Sequence, residues 1–319
     1  MKLIIQIPCL NEEKTLGIAL AALPREVEGF DTVEWLIIDD GSTDNTVEVA
    51  KQHGVDHVVS HVHNLGLARG FMTGLNACLE LGADVIVNTD ADNQYCADDI
   101  PLLTKPIIEG KSDIVIGTRP ISDIDHFSPL KKKLQKLGSW AVRQASGTEV
   151  EDAPSGFRAI SREAAMQLNV FNNYTYTIET IIQAGQKNMA ISSVPVRVNE
   201  DLRPSRLVKS IPAYVKRSIF TIVRVFATYR PFSFFMSLAA VLFGLGLLLG
   251  LRFLYFLATG DGDGHVQSVI LSGVLLGMGL QTGLIAFVAD LISVNRRLLE
   301  QIRYSQKKQS MDDEADKED

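Results

Sequence analysis

Cysteine is scarce in this chain of 319 residues: Cys9, Cys78 and Cys96, with no CxxC spacing and no even count. That argues against a disulfide framework and for a reduced compartment, and no chemistry is assigned to the thiols. Two signatures of phosphate-binding turns are also missing. There is no GxGxxG and no GxxxxGK[ST], so the dinucleotide and P-loop readings fail. Positive charge is in deficit, with 31 Lys and Arg against 38 Asp and Glu and a formal charge of -7. A general nucleic-acid binder needs a dense basic face, so no nucleic acid is expected as a partner. The start, "MKLIIQIP", has a single Lys, no long apolar region and no small-residue cleavage site, so no signal peptide is expected. Neither an internal repeat nor a low-complexity linker is visible.

The negative charge is concentrated at one end. The last nine residues, "MDDEADKED", hold six acids and one Lys, and read as a solvated, disordered tail. The first two hundred residues alternate β-rich runs with helical patterns. "KLIIQIP", "VEWLIID", "DHVVS", "ADVIVNTD" and "SDIVIGT" are short, apolar and closed by polar residues, Gly or Pro, as strands are. Between them "EEKTLGIALAAL", "TDNTVEVAKQHG", "LARGFMTGLNACLELG" and "ADDIPLLTKPIIEG" have helical period. This alternation predicts an α/β domain with a mainly parallel sheet covered on both faces. Ligands of such sheets sit at the carboxyl ends of the strands, where the polar clusters "PCLNEE", "DDGSTDNT" and "TDADNQY" fall.

After residue 230 the composition changes. Phe232–Leu251 and Val266–Ala289 contain no charged residue, and each is long enough to cross about 30 Å of hydrocarbon as a helix. Arg252 stands where it can snorkel outward. The connecting "TGDGDGH" is acidic, whereas Lys209, Lys216, Arg217, Arg224 and Arg230 precede the first span and Arg296, Arg297 and Arg303 follow the second. The positive-inside rule therefore puts both ends in the cytoplasm, in an integral protein of the plasma (cytoplasmic) membrane. Between the domains, "LVKSIPAYVKRSIFTIVRVFATYRP" mixes bulky apolar residues with five cations and no acid, as in segments that lie along an anionic membrane surface. Small residues four apart, Gly246/Gly250, Gly273/Gly277 and Gly279/Gly283, permit close helix contact within a chain or between chains, which leaves a homo-oligomer open. The expected organisation is a catalytic domain over 1–206, amphipathic juxtamembrane helices over 207–230, two transmembrane helices over 231–295 and a cytoplasmic acidic tail over 296–319.

Chemistry is carried by carboxylates. Asp90 and Asp92, two apart behind an apolar run, would share a face of the strand and repel each other unless something positive lies between them. A divalent cation bound to a diphosphate answers that need, and hard oxygen ligands suit Mg or Mn; Gln94 could add a carbonyl oxygen. In "IIDDGSTDNT" a double Asp precedes a tight-turn Gly and residues able to cap a helix. Asp39, an acid at the end of a buried strand, calls for a partner such as a base N–H or ribose hydroxyls. His61 and His63 in "SHVHN" alternate on one face; a metal pair is one reading, and solvent-facing histidines are the favoured one.

"IPCLNEEKTL", "IIDDGSTDNT", "NLGLARG", "TDADNQY", "GTRP", "DAPSGFR" and "RPSRL", in that order, resemble the inverting family-two glycosyltransferases of the GT-A fold. With two C-terminal spans, the chain is similar to the polyprenyl-phosphate sugar transferases, the dolichyl-phosphate mannose synthase group. The motifs cover roughly residues 4 to 207 and the membrane layout extends the likeness to about 300. The resemblance implies that Pro8, Asn11, Glu12, Asp39 and Asp40 line the nucleoside pocket, with Gly66 and Arg69 beside it. It implies that Asp90, Ala91 and Ser155 face the donor, and that Asp90, Asp92 and Gln94 hold metal and diphosphate. Arg119 of "GTRP" and the cations of the next helix, Lys131, Lys132 and Lys133, would face the acceptor phosphate. Asp152, Ser155 and Arg158 of "DAPSGFR" would lie near donor sugar and acceptor, and Arg203 and Arg206 of "RPSRL" would close on the diphosphate. For Glu179 two readings stand equal, contact with sugar hydroxyls or a pair with a nearby Arg.

The implied reaction moves a sugar from a nucleoside-diphosphate sugar to a polyprenyl or dolichyl phosphate with inversion, using Mg or Mn. A UDP-sugar, glucose or N-acetylglucosamine, is the expected donor; the alternatives are a GDP-mannose-using dolichyl-phosphate mannose synthase and a membrane-anchored sugar-nucleotide sensor without turnover. A processive polysaccharide synthase would carry QxxRW, and neither Trp35 nor Trp140 sits in one.

Overall fold

The computed structural model describes residues 1–120, 129–170, 176–200, 219–220, 223–224, 226–260 and 263–318, without the side chains of 129–136, 263 and 311–318. All five runs read as strands form them: β1 (Lys2–Cys9), β2 (Thr32–Asp39), β3 (His57–Ser60), β4 (Val85–Asn88) and β5 (Ile114–Thr118). Two more, β6 (Arg158–Ser161) and β7 (Ile191–Pro195), complete a seven-stranded sheet in the order β3-β2-β1-β4-β6-β5-β7. Their sequences, "RAIS" and "ISSVP", carry too short an apolar run to announce a strand. Pairing is parallel except along β6, which runs antiparallel to both β4 and β5.

That one reversal matters for the site. Because β6 is inverted, its start lies at the same sheet edge as the ends of its neighbours, with Asn88 opposite Arg158. Cys9 pairs with Asp39 and Thr118 with Pro195 at the same edge. The chain leaves β1 for β2 and β3 on one side and returns through β4 on the other, so a topological switch point falls between β1 and β4.

Leu3, Ile4, Ile5 and Ile7 of β1 have no exposed surface, which is why the strand reads as a continuous apolar run. Each such side chain contributes about 1.5–3 kcal/mol through burial. On one face Leu3, Ile5, Ile7, Val85 and Val87 pack with Leu16 and Leu20 of α1 (Leu16–Ala22) and Ile100 and Leu103 of α4 (Ile100–Ile108), separated in sequence by α2 (Thr46–Gln52) and α3 (Leu67–Glu80). On the other, α3 lies close because Gly74 meets the strands: a Cβ there would overlap Gln6 Oε1 and stand 2.7 Å from Ile38 Cδ1. Further along the chain come α5 (Pro129–Ser146), α6 (Arg162–Gln167) and α7 (Thr177–Gln186).

Two compact units are present, Met1–Ser218 with Ile302–Asp319, and Ile219–Gln301. The first holds the sheet. The second is built from α8 (Pro231–Ala258) and the first part of α9 (Val266–Glu318). These are two helices long and apolar enough to cross a membrane, and only 11% and 17% of their most apolar windows are buried, unlike the core helices of a soluble protein. They meet through small residues: a Cβ on Gly246 would stand 2.9 Å from Leu276 N, one on Gly250 2.9 Å from Ser272 Oγ, and one on Gly279 2.9 Å from Phe243 N. Ser272 Oγ donates to the Gly246 carbonyl at 2.6 Å. Gly273 and Gly277 face no atom within 4 Å, so of the spacings noted in the sequence this one is not used between the two helices. Arg252 donates across the hairpin to Ser268 Oγ at 2.8 Å.

In the segment expected as an acidic tail, α9 continues to Glu318. From Gln281 onward only Gly283 interrupts a run of residues without Gly or Pro, and the Lys, Glu and Ala of the end are good helix formers. Most of the amphipathic segment expected over 207–230 lies outside the described residues.

Candidate active site

The site begins with a polar residue in an apolar strand. Asn88 is fully buried; its Oδ1 accepts from Gln6 Nε2 at 3.0 Å, and its Nδ2 donates to the Gly156 carbonyl and to the Tyr176 hydroxyl, both at 2.9 Å. Tyr176 is stacked on Phe71 with centroids 3.9 Å apart, and the Arg158 guanidinium stands 5.3 Å from its ring. This network fixes where β4 ends. The strand closes at Asn88, short of the aspartates, so Asp90 and Asp92 stand on a turn and not on the strand as expected. The turn restores the alternation: Ala91 points into the core, and Asn93 takes φ 55° to bring the chain round.

Burial, and then the charge of Asp92, push the Asp90 carboxyl up to about 7. Two carboxylates in this relation are a site that wants a cation. Gly156 keeps it open: a Cβ there would come within 3.2 and 3.3 Å of the Asp90 oxygens and 3.0 Å of the Tyr176 hydroxyl. Among the described residues no group of three His, Cys, Asp or Glu converges to hold a metal unaided. The donor set therefore fits a hard cation that keeps water and phosphate oxygens in its shell, as Mg does, better than a closed protein cage. Gln94 joins the pair through its backbone N–H, which donates to Asp92 Oδ1 at 3.3 Å.

A strap holds this turn from the other side. Arg197 donates through its backbone N–H to Asp99 Oδ2 at 2.6 Å, and through Nε and Nη2 to Asp99 Oδ1 at 3.0 and 2.7 Å. Asn199 Nδ2 donates to the carbonyls of Asn93 and Tyr95 at 2.9 and 3.2 Å, and its N–H to that of Gln94 at 2.9 Å. The chain after β7 is thereby laid along the aspartate turn.

At the ends of β1 and β2, Asn11 Oδ1 accepts from Thr43 N at 2.8 Å and Asn11 N donates to Ser42 Oγ at 2.9 Å. Glu12 N donates to Thr46 Oγ1, and its Oε2 accepts from Thr15 Oγ1, each at 2.9 Å. Pro8 stands on β1 beside Gly70 of α3. The two aspartates of "IIDDGS" separate in role. Asp39 accepts from Ser42 N at 3.0 Å with Oδ1, and among the described residues Oδ2 takes no hydrogen bond. Asp40 is committed inward: Oδ1 accepts from Leu65 N at 2.8 Å and faces His61 Nδ1 at 2.8 Å, while Oδ2 accepts from Gly66 N at 2.9 Å. It holds the loop that leads to Arg69, which is exposed. Gly66 takes φ 95°, a conformation only glycine adopts readily. His61 is corrected as well. It is largely buried between Asp40 and Thr73 Oγ1, at 3.0 Å from Nε2, whereas His63 is exposed.

The third group is tied together by a buried ion pair and buried hydrogen bonds. Arg119, expected to face the acceptor, grips Asp152 with Nε to Oδ2 at 2.7 Å and Nη2 to Oδ1 at 3.0 Å; Asp152 is fully buried and also accepts from Arg119 N at 3.3 Å. Arg158, expected near the donor sugar, is fully buried; Nη1 donates to Thr180 Oγ1 at 2.6 Å and to the Thr177 carbonyl at 3.3 Å, and Nη2 to the Ser155 carbonyl. Burial lowers its pKa. It supports the "DAPSGF" loop from beneath, with Ser155 buried beside it. Glu179 is buried on α7. The side chains of Lys131, Lys132 and Lys133, and all of Arg203 and Arg206, lie outside the described residues.

Gln6, Asn88, Tyr176 and Asn199 were not found from sequence. Gln6 and Asn88 had a signal, a polar residue inside an apolar strand; Tyr176 and Asn199 had none, because their partners are distant in the chain.

The sequence profile of Glycosyl transferase family 2 matches residues 4–168. The chain is 32% identical over 213 residues to the UDP-N-acetylglucosamine--dolichyl-phosphate N-acetylglucosaminyltransferase of Methanococcus voltae, covering 60% of this chain and 83% of that one. It is 26% identical over 218 residues to the undecaprenyl-phosphate mannosyltransferase of Micrococcus luteus, 65% of this chain and 88% of the relative. Among solved structures, glucosyl-3-phosphoglycerate synthase from Mycobacterium tuberculosis in complex with Mn2+, uridine diphosphate and phosphoglyceric acid shares the fold, with a TM-score of 0.54 at 21% identity over 71% of this chain and 78% of that one.

Proposed function

The chain belongs to glycosyl transferase family 2, and from that premise we propose that it moves a sugar from a nucleoside-diphosphate sugar to a polyprenyl or dolichyl phosphate, with inversion. The observation that carries the reading is the placement of Asp39 at the end of β2, and of Asp90 and Asp92 just after β4, at the carboxyl edge of one sheet, in a chain with two helices able to span a membrane. The relatives that act on lipid phosphates support the acceptor class. A UDP-sugar, glucose or N-acetylglucosamine, is the favoured donor, in keeping with the N-acetylglucosaminyl relative.

The nucleophile is an oxygen of the lipid phosphate monoester. Its second pKa is near 6, so it is largely ionised at neutral pH and needs no dedicated base. Asp152, which the resemblance sets near donor sugar and acceptor, has both oxygens engaged by Arg119, which agrees with a positioning duty. The phosphate oxygen bonds to the anomeric carbon as the bond to the nucleoside diphosphate breaks on the opposite face. An α-linked donor thus yields a β-linked lipid-phosphate sugar. Asp39 and Arg69 orient the nucleotide, and the Asn88–Tyr176–Gly156 network holds Asp90 in register with it. Asp90 and Asp92 would hold Mg or Mn, which supplies positive charge to the departing diphosphate; the metal-bound fold relative supports that class of ion. Arg203 and Arg206 are assigned to the same diphosphate by sequence resemblance.

The test is transfer by purified, detergent-solubilised full-length protein, given undecaprenyl or dolichyl phosphate, Mn or Mg, and a panel of UDP- and GDP-sugars. Lipid-linked product is followed by mass spectrometry, and Asp92→Ala is expected to lower it by about a hundredfold or more. Nucleotide binding without product from any donor would replace the transferase with a sensor.

A further inference from the structure

Helix α5 has two faces of different kind. Ser139, Ala141, Val142 and Ala145 are all at most 3% exposed, and α7 comes so close that a Cβ on Gly185 would overlap the Ser146 carbonyl. The opposite stripe is apolar where it should be polar. Leu137 and Trp140, three apart, are 47% and 48% exposed, and Gln144 extends their line. Helical register sets positions 133 and 136 on the same stripe, four residues before Leu137 and Trp140 respectively, and both are Lys. Over its whole length α5 carries Lys131, Lys132, Lys133, Lys136 and Arg143 and no acid, in a chain whose net charge is negative.

A single exposed Leu asks for no explanation. An exposed Trp and Leu side by side, on a helix whose charged residues are all cations, form the composition of a helix that lies in the headgroup layer: the indole belongs at the interface, and a cationic helix favours an anionic surface. We infer that the outer stripe of α5, centred on Leu137 and Trp140, is a docking surface through which the catalytic unit rests on an anionic lipid bilayer. Charge complementarity selects that occupant over a second copy of this acidic chain. The inference rests on the reading of α8 and α9 as membrane spans, and not on the donor or the sugar.

Only Trp35 and Trp140 report by fluorescence, and Trp35 is buried beneath the Arg25 guanidinium, 3.4 Å from its ring centroid. Full-length protein is placed in nanodiscs of phosphatidylcholine and phosphatidylglycerol, with and without brominated acyl chains, and Trp140→Phe supplies the difference that isolates Trp140. Brominated lipid is expected to lower the Trp140 emission about twofold and leave Trp35 unchanged, because a docked indole sits at the acyl boundary. Leu137→Glu should abolish most of that quenching. Insertion of the protein with Trp140 untouched by bromine and freely quenched by iodide overturns the docking alone. Quenching by neither reagent also overturns it, in favour of a protein contact. Failure of the protein to enter nanodiscs at all would remove the spans and the docking together.

Discussion

Asp90 has been placed where its own charge is unwelcome, since burial and then Asp92 raise its pKa from 3.8 to about 7. The sign of the consequence is fixed. A folded-state pKa above the unfolded one means that the native chain holds the proton longer, so the stabilisation is complete below about 4 and is lost as pH rises through about 7. In chelator, the melting temperature should therefore fall between about pH 5 and pH 8, by an amount reflecting a few kcal/mol at most. Added Mn or Mg should restore more at the high end, and Asp90→Asn should flatten the slope. A slope that survives Asp90→Asn would assign it to other groups. Gly156 makes a second prediction at this scale. Its Cβ position is 3.2 Å from an Asp90 oxygen, so Gly156→Ala should reduce kcat by about tenfold or more for roughly 1–3 kcal/mol of stability. Equal transfer by the variant, measured with the lipid-product assay, would count against Asp90 as a site residue.

Elements meet at the site because one strand is turned round. Reversal of β6 brings the start of "RAIS", and the loop before it, to the edge where β1, β2, β4 and β5 end. The segment after β7 then closes on the aspartate turn through Asn199 and through Arg197 with Asp99. Arg197 is largely exposed, so water screens this ion pair and it adds little to stability. The hydrogen bonds of Asn199 shape the turn instead. Asn199→Ala should leave the melting temperature within about 2–4 °C of wild type. It should also raise the Mn or Mg concentration needed for half-maximal transfer by about tenfold, as loss of support around a metal ligand does. An unchanged metal requirement in a metal titration would reduce the strap to a structural role.

At the scale of the whole molecule, charge around the apolar helices gives the orientation to be expected in a membrane. Cations flank the outer ends of the helix pair, and the turn between α8 and α9 is acidic. Thr259→Cys, in that turn, should therefore react with a membrane-impermeant maleimide on intact cells, while the catalytic unit should not. Cys9 and Cys78 are buried and leave Cys96 as the main background. Labelling of Thr259→Cys only after lysis would invert the topology. The helices themselves were legible in composition, because twenty uncharged residues have few other uses. Their pairing was half legible: the glycine spacings were visible, but which of them faces the partner helix depends on register, and Gly273 with Gly277 turned out to face away.

The sequence by itself determined the local and periodic features: five strands, the helices between them, two apolar helices of span length, and the Asp90–Asp92 motif behind an apolar run. Each is written within a window of ten or twenty residues, where side-chain period and turn chemistry act. Tertiary structure decided what depends on distant partners. It turned Asp40 inward onto the Leu65–Gly66 amides and His61, paired Arg119 with Asp152, buried Arg158 beneath its loop, and stopped β4 at Asn88 through Gln6 and Tyr176. A charged or polar side chain removed from water must be satisfied by whatever group the fold brings to it, and that group lies across the sheet, not along the chain.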